Sequence, residues 1–496
     1  MIYDIVVVGG GLLGAGIARD ASLRGLSVCL FEQEDFGAGA TSRGSRLVTG
    51  GLNALQTLDF THVREDIRER EILRRIAPHL VQSQSCLIPF YSQGVLAQAR
   101  LRAGLALTDA LGFDPSLPMH PLLPVHQLLS PSEARTRAPR LRAEGLAGAA
   151  LVWEAVVPRI ERLALELALD ARRQGASLRT HTRVETLCWE AAGRGRERAA
   201  GVRWTDRLTG ESGRTHTHLV VASVGAWQFE LEAPPGNQPR LSKSVSIIGP
   251  PLPGRGDALV FPREEEGRLL VVMPWPQGSW IGSIETDFTG NLDTAHATGE
   301  EVAALVRLVR DFLPTVAWDD PAGAQAAVRL PLPPHAASFG VAPPTYDIRD
   351  HAANGGAQDG LVTVSGGRVT NVRAIAEEAV DLACRKLGRA LSTPPCRTAS
   401  QPLPTLAVPA VGAQVPDDPA LRVAVEWAVA EEECRTVRDF LQRRTPLAWT
   451  ADGGRSAIPV ILETMAGLLG WDGDRRVREV KAYEADLALR QAFRVL

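Results

Sequence analysis

A chain of 496 residues is about three times the usual single-domain length, so two or three domains around at least one large core are expected. Hydrophobic residues make up 45 % and charged residues 22 %, and the 46 Gly and 34 Pro are spread without period, which excludes disordered, collagen-like and mucin-like chains. Lys+Arg 54 against Asp+Glu 57 leaves a net charge of −3, which offers no global field for nucleic acid or anionic lipid, so any anion site is local.

The six cysteines, at 29, 86, 188, 384, 396 and 434, lie far apart without CxxC or mixed Cys/His spacing. That suggests neither a disulfide framework nor a metal site and fits a reducing compartment. The amino-terminal run lacks the basic start and long apolar stretch of a signal peptide. No stretch approaches the roughly 18 uncharged apolar residues that cross a bilayer; the apolar segment 96–111 is broken by Arg100, Arg102 and Asp109.

In chain order, residues 5–8 (Ile-Val-Val-Val) predict a short strand, Gly9, Gly11 and Gly14 a glycine turn, and Ile17, Ala18, Ala21 and Leu23 a helix. Gly9 permits the tight turn, Gly11 lets a pyrophosphate approach the backbone, and Gly14 lets the helix lie close to the strand, its first amides facing the anion together with Leu12 and Leu13. A second strand, 26–31, ends at Glu32, 23 positions after Gly9; a carboxylate there suits a ribose hydroxyl and repels a 2′-phosphate. The pattern predicts dinucleotide binding. Residues 37–52, rich in Gly, Ala, Ser and Thr, form no regular amphipathic helix and are expected to run close to something large.

Residues 161–174 read as a helix, 177–182, 183–189 and 219–223 as strands, and 258–261 and 269–273 as strand-like alternation. Residues 361–364 predict another strand, meeting Ser365-Gly366-Gly367-Arg368-Val369-Thr370-Asn371 and then a helix over 374–387. This second glycine turn aims helix amides as would suit the electron-rich end of a flavin. Six prolines between 391 and 416 read as an extended linker. Beyond it Asp418-Pro419 starts a helix, Leu421, Val425, Ala428, Val437, Phe440 and Leu441 give an apolar stripe suited to a small helical core, and further helices are expected near 458–469 and 475–493.

The segments GGGLLGAGIARDASLRG from Gly9, TSRGSRLVTGGL from Thr41, VVASVGAW from Val220, RLSKSVSIIGP from Arg240, AVRLPL from Ala327 and SGGRVTNVRAIAEEAVDLA from Ser365 resemble, in number, order and spacing, the FAD-dependent (aerobic) glycerol-3-phosphate dehydrogenases. The helical tail resembles the one that sets this family apart from glycine oxidase and other shorter relatives. The resemblance implies an α/β plus antiparallel-β architecture: a Rossmann-like FAD-binding domain (1–85, 151–230 and 356–390), an antiparallel-sheet substrate domain (86–150 and 231–355), a linker (391–416) and an all-helical C-terminal domain (417–496). It implies FAD held by Gly9, Gly11, Leu12, Leu13, Gly14, Glu32, Thr41, Ser42, Ser45, Val184, Gly225, Gly367, Arg368, Val369 and Thr370. It further implies oxidation of sn-glycerol 3-phosphate by hydride transfer to flavin N5, with electrons passed to a membrane quinone, although some relatives use oxygen. The expected setting is cytoplasmic, with peripheral contact on the inner face of the cell membrane and a homodimer both left open.

Oxidising a phosphorylated secondary alcohol requires a base and cations for the phosphate, and arginine's planar fork suits that anion. Arg329, Arg349 and Arg368 fall on family positions around a small anionic substrate, joined by Thr49 and Lys243. Several polar family positions differ. Thr49 and Ser246 stand in place of histidines, Asn53 in place of an arginine, and Ala222 in place of an asparagine; a Ser or Thr hydroxyl is no substitute for imidazole as a base near neutral pH. His351 is the expected replacement acid/base, with Glu285 a further candidate, and His79 is read as structural. These departures keep open another polyol phosphate, a hydroxy acid or an amine as substrate, or weakened catalysis.

Overall fold

The computed structural model describes residues 1–50, 60–91, 103–106, 109–110, 123–193, 195–228, 240–263, 268–276, 278–331, 345–353, 358–405, 411 and 418–494. The strand Ile2–Val8 is the middle of a nine-stranded sheet. It pairs in parallel with Val28–Phe31 on one side and Ser212–Ala222 on the other, and the latter pairs in parallel with Leu361–Gly366. Alternation along the central strand decides what each face packs against. Ile5 and Val7 enter a core with the helices Leu12–Leu23, Ile160–Arg173 and Val372–Lys386, whereas Val6 and Val8 face Val184, Val202 and Trp204 of an antiparallel meander. The meander strands Thr182–Gly193 and Arg196–Asp206 join this sheet at Ser212–Ala222.

A second nine-stranded sheet runs in the order 323–329, 241–249, 278–288, 268–275, 258–263, 82–91, 146–156, 47–48. Its pairings are antiparallel except that Ala258 and Leu259 run parallel to Cys86 and Leu87. Helix Gly299–Phe312, started by a Thr298/Glu301 capping box, covers one face through Val302, Leu305 and Val309.

The strands extend past the boundaries expected from sequence. Gln82–Tyr91 and Leu146–Val156 are continuous members of the second sheet, because their antiparallel ladder, from Gln82 opposite Val156 to Phe90 opposite Gly148, runs unbroken through 85/86 and 150/151. Conversely Tyr346–Asp350 belongs to the first sheet, as an antiparallel edge strand beside Leu361–Gly366. The proline-rich segment also departs from a free linker over 391–405: Leu403 is buried in the first core and its N–H donates to Ile76 O at 2.7 Å, while Arg397 bonds Leu23 O. The tail forms its own core from helices Asp418–Glu431, Ile458–Leu469 and Gly473–Gln491. All six stripe residues, Leu421 through Leu441, are buried in it.

Candidate functional site

Parallel strands deliver their carboxyl ends to one edge of the first sheet, where a ligand crevice belongs. Gly9 follows Val8 with φ +102°, and a Cβ there would lie 2.3 Å from Ser223 O. A Cβ on Gly14 would lie 1.9 Å from Gly9 O, so only glycine lets the helix seat against the turn. Gly11 is the N-cap, extended and without a side-chain cap; a Cβ there would meet only Thr41 Oγ1 at 3.4 Å. Leu12 N–H donates to Thr41 Oγ1 at 3.1 Å, which pins the small-residue segment over the helix start. Glu32 accepts Gly10 N–H at 2.7 Å and Glu34 N–H at 2.9 Å, and burial pushes its carboxyl up to about 7.

These elements open onto a cleft of about 500 Å³. Gly9, Gly11, Leu12, Leu13, Glu32, Thr41, Ser42, Val184 and Gly225 all line it, as do Ser365 and Gly366 at the second glycine turn. Gly14 lies beneath, and Ser45 is outside the lining. Gly367 (φ +85°), Arg368, Val369 and Thr370 continue the turn beyond Gly366. That turn is held by Asn371 Oδ1, which accepts Arg368 N–H at 2.8 Å, and by Thr370 Oγ1, which donates to Thr49 O at 3.1 Å. The helix after it starts at Val372, two residues before the expected position.

The expected substrate residues are brought together only in part, and Arg329, Arg349, Arg368 and Lys243 all lie outside the cleft lining. Arg368, beside the second turn, pairs with Asp66 at 2.7 Å and is 28 % exposed. Arg329, at the end of an edge strand and half exposed, pairs with Glu285, whose other oxygen accepts from Ser242 Oγ at 3.1 Å. Lys243 is buried, bonded to Glu301 at 2.9 Å and His296 O at 3.1 Å. Asn53 lies outside the described residues. Two further expected residues lie on or just after the edge strand Tyr346–Asp350. Arg349 sits on the outermost strand opposite Thr363, half exposed and paired with Asp347, outside the cleft lining. His351 donates its N–H to Leu361 O and its ring meets Thr363 Oγ1 at 3.1 Å. Leu361 begins the strand whose last three residues, Val364 to Gly366, line the cleft, and His351 stands beside the other end of that strand, outside the lining. Proximity in sequence to Arg349 and Asp350 misled because this antiparallel edge strand runs away from the glycine turn. His79 bonds Glu166 at 2.7 Å, as a structural residue does.

The sequence reading missed an entire wall. The C-terminal domain contributes Arg438, Gln442, Arg443, Trp449, Asp486 and Arg490 to the cleft. The signal was present as arginines interleaved with the apolar stripe at Val437, Phe440 and Leu441. The stripe accounts for the domain's own core, not for its basic face.

Residues 4–382 match the FAD dependent oxidoreductase family, and residues 399–476 match the C-terminal domain of alpha-glycerophosphate oxidase. A glycerol-3-phosphate dehydrogenase from Synechocystis is 30 % identical, over 97 % of this chain and 95 % of that protein. The chain belongs to the FAD-dependent glycerol-3-phosphate dehydrogenase family. An aerobic member from Staphylococcus epidermidis is 30 % identical over 78 % of this chain and 67 % of its own length. The crystal structure of glycerol-3-phosphate dehydrogenase from Bacillus halodurans complexed with FAD superposes with a TM-score of 0.75 at 23 % identity, over 99 % of this chain and 95 % of that one. As a family member the protein is an FAD-dependent oxidoreductase. Its residues fit the cofactor: a helix start at Gly11 where a Cβ would meet only Thr41, a carboxylate at Glu32 for the ribose, and a long cleft ending at the second glycine turn.

Proposed function

We propose that the protein oxidises sn-glycerol 3-phosphate to dihydroxyacetone phosphate and passes the electrons to a quinone. The observation that supports this most is agreement along the whole chain, which includes a tail matching the alpha-glycerophosphate oxidase C-terminal domain rather than ending at the FAD and substrate domains. When bound, FAD supplies a hydride acceptor at flavin N5.

The residues assigned to the substrate are Arg368 and Arg329, whose forks match phosphate oxygens. Asp66 and Glu285 hold these guanidiniums oriented and neutralised in the absence of substrate, and the phosphate competes with them for the same N–H groups. Glu285 takes over from His351 as the candidate base for the hydroxyl proton, because it is a carboxylate already held beside a substrate arginine. The cofactor roles assigned to Gly9, Gly11, Leu12, Leu13, Glu32, Thr41, Ser42, Val184 and Gly225 are supported by their sharing one cleft. No helix among the described residues is long and apolar enough to cross a membrane, so access to a membrane quinone would be through peripheral contact.

A second reading, in which another polyol phosphate, a hydroxy acid or an amine is the substrate, is favoured by Ser246. It stands where a family histidine is expected, and its hydroxyl is buried without a hydrogen-bond partner. One experiment separates the two. Under anaerobic conditions the holoenzyme is mixed with sn-glycerol 3-phosphate, glycerol, lactate and glycine while the flavin absorbance is followed, and the reduced enzyme is then exposed to a soluble quinone or to oxygen. Bleaching by glycerol 3-phosphate and rapid reoxidation by quinone are expected. Bleaching by another compound and none by glycerol 3-phosphate would overturn the proposal.

A further inference from the structure

We propose that Arg443, contributed by the C-terminal helical domain, binds the pyrophosphate of FAD, so that cofactor loading and docking of that domain are coupled. Arg443 lies in the segment Phe440–Arg444, is only 4 % exposed, and lines the same cleft as Gly11 and Leu12. Its Nε and Nη1 are buried without a hydrogen-bond partner. The nearest carboxylates stand off at 3.8 Å (Asp35) and 3.9 Å (Asp439); Asp35 is committed elsewhere, and Asp439 faces Nη1 with its Oδ1, itself without a hydrogen-bond partner, beyond hydrogen-bond distance. Asp35 accepts from Arg444 through both oxygens, at 2.5 and 3.0 Å. Asp439 accepts His181 Nε2 at 2.9 Å and the Thr436 amide at 2.9 Å. A buried guanidinium with unused donors bears the full cost of desolvation unless a ligand completes its bonds.

The surrounding charges identify that ligand as an anion. Arg43, Arg438, Arg443 and Arg490 share this part of the cleft with Asp486. Arg490 and Gln442 occupy Asp486 at 2.8 and 2.5 Å, and Arg438 pairs with Glu34. Arg43 spends a donor on Ala326 O at 3.2 Å. Arg43, Arg438, Arg443 and Arg490 against Glu32, Glu34 and Asp486 leave a balance of one positive charge, and the adenine, riboses and flavin of FAD are uncharged in the oxidised state, which leaves the pyrophosphate as the group that answers it. The helix amides at Gly11 face the same group, so the anion would be held between the first turn of the nucleotide fold and the tail.

The test uses the full-length protein, deflavinated and reconstituted, as wild type, Arg443→Met and Arg443→Lys. FAD binding is followed by quenching of its fluorescence, and ADP and adenosine binding by calorimetry, alongside thermal unfolding of the apo- and holo-forms. The Met variant should bind FAD and ADP at least about 10-fold more weakly, leave adenosine affinity unchanged, and shrink the rise in melting temperature produced by FAD. The Lys variant, which keeps charge without the fork, should fall between. FAD and ADP affinities equal to wild type would overturn the proposal, as would equal weakening of adenosine, or a lower apo-protein melting temperature with a full rise on adding FAD. If the Met variant does not fold, Arg443→Gln goes through the same measurements.

Discussion

Gly11→Val separates the cofactor-binding role of the first glycine turn from its structural role. Gly11 has an ordinary φ of −67°, and its Cβ position meets nothing closer than Thr41 Oγ1 at 3.4 Å. The apo-fold should therefore tolerate valine at the modest cost of a poorer N-cap, about 1 kcal/mol. Its two methyl groups would project into the cleft in front of the helix amides. Losing two charge-assisted hydrogen bonds of about 1.5–3 kcal/mol each amounts to about 3–6 kcal/mol, or about 10²–10⁴-fold in FAD affinity. The assay is the flavin-to-protein ratio after desalting at dilute concentration, with circular dichroism of the apo-protein as the control for folding. Gly14→Ala should behave differently, because its Cβ overlaps Gly9 O at 1.9 Å and must displace the helix, so folding and binding fall together. Stoichiometric FAD in well-folded Gly11→Val would refute the placement of the pyrophosphate at this turn.

Arg329→Ala and Arg368→Ala should each raise the KM for glycerol 3-phosphate, with about 2–5 kcal/mol of binding lost per contact; unchanged steady-state kinetics would move the phosphate site elsewhere. His351→Ala should leave turnover and its pH profile as in wild type, since the residue stands at the far end of its strand; a collapse of turnover would restore it as the acid/base. Burial alone would raise the Asp439 carboxyl, but the attraction and hydrogen bond of His181, with Arg443 and Arg444, hold it well below its ordinary 3.8. Because the folded value is depressed, the stabilisation is complete above about pH 4 and is lost as pH falls below it. Asp439→Asn should therefore lower the melting temperature at pH 7, by an amount that shrinks in acid; a pH-independent difference would contradict the linkage.

Local pattern was enough for the cofactor end. A β-branched run, three spaced glycines and an acid after the next strand all lie within the first 32 residues, and each acts within that stretch: Gly9 through its positive φ, Gly14 through absence of a Cβ, Glu32 through a carboxylate that accepts the Gly10 and Glu34 amides. The tail was legible for the same reason, its helices announced by Asp418-Pro419 and a stripe that packs on itself. What periodicity could not express was which distant segments face one another. Arg349 was placed by its family position and His351 by its neighbours in sequence, but the direction of the edge strand Tyr346–Asp350 carries them away from the glycine turn. Arg368 and Arg329 read as free cations, but Asp66 and Glu285, 302 and 44 residues away in sequence, reach them across the fold. The arginines of the tail became part of the cleft only through a docking fixed by buried pairs such as Arg444 with Asp35, 409 positions apart. Hydrogen bonding and helical phase are short-range properties written along the chain, whereas a buried charge takes whatever partner the packing of separate domains brings within reach.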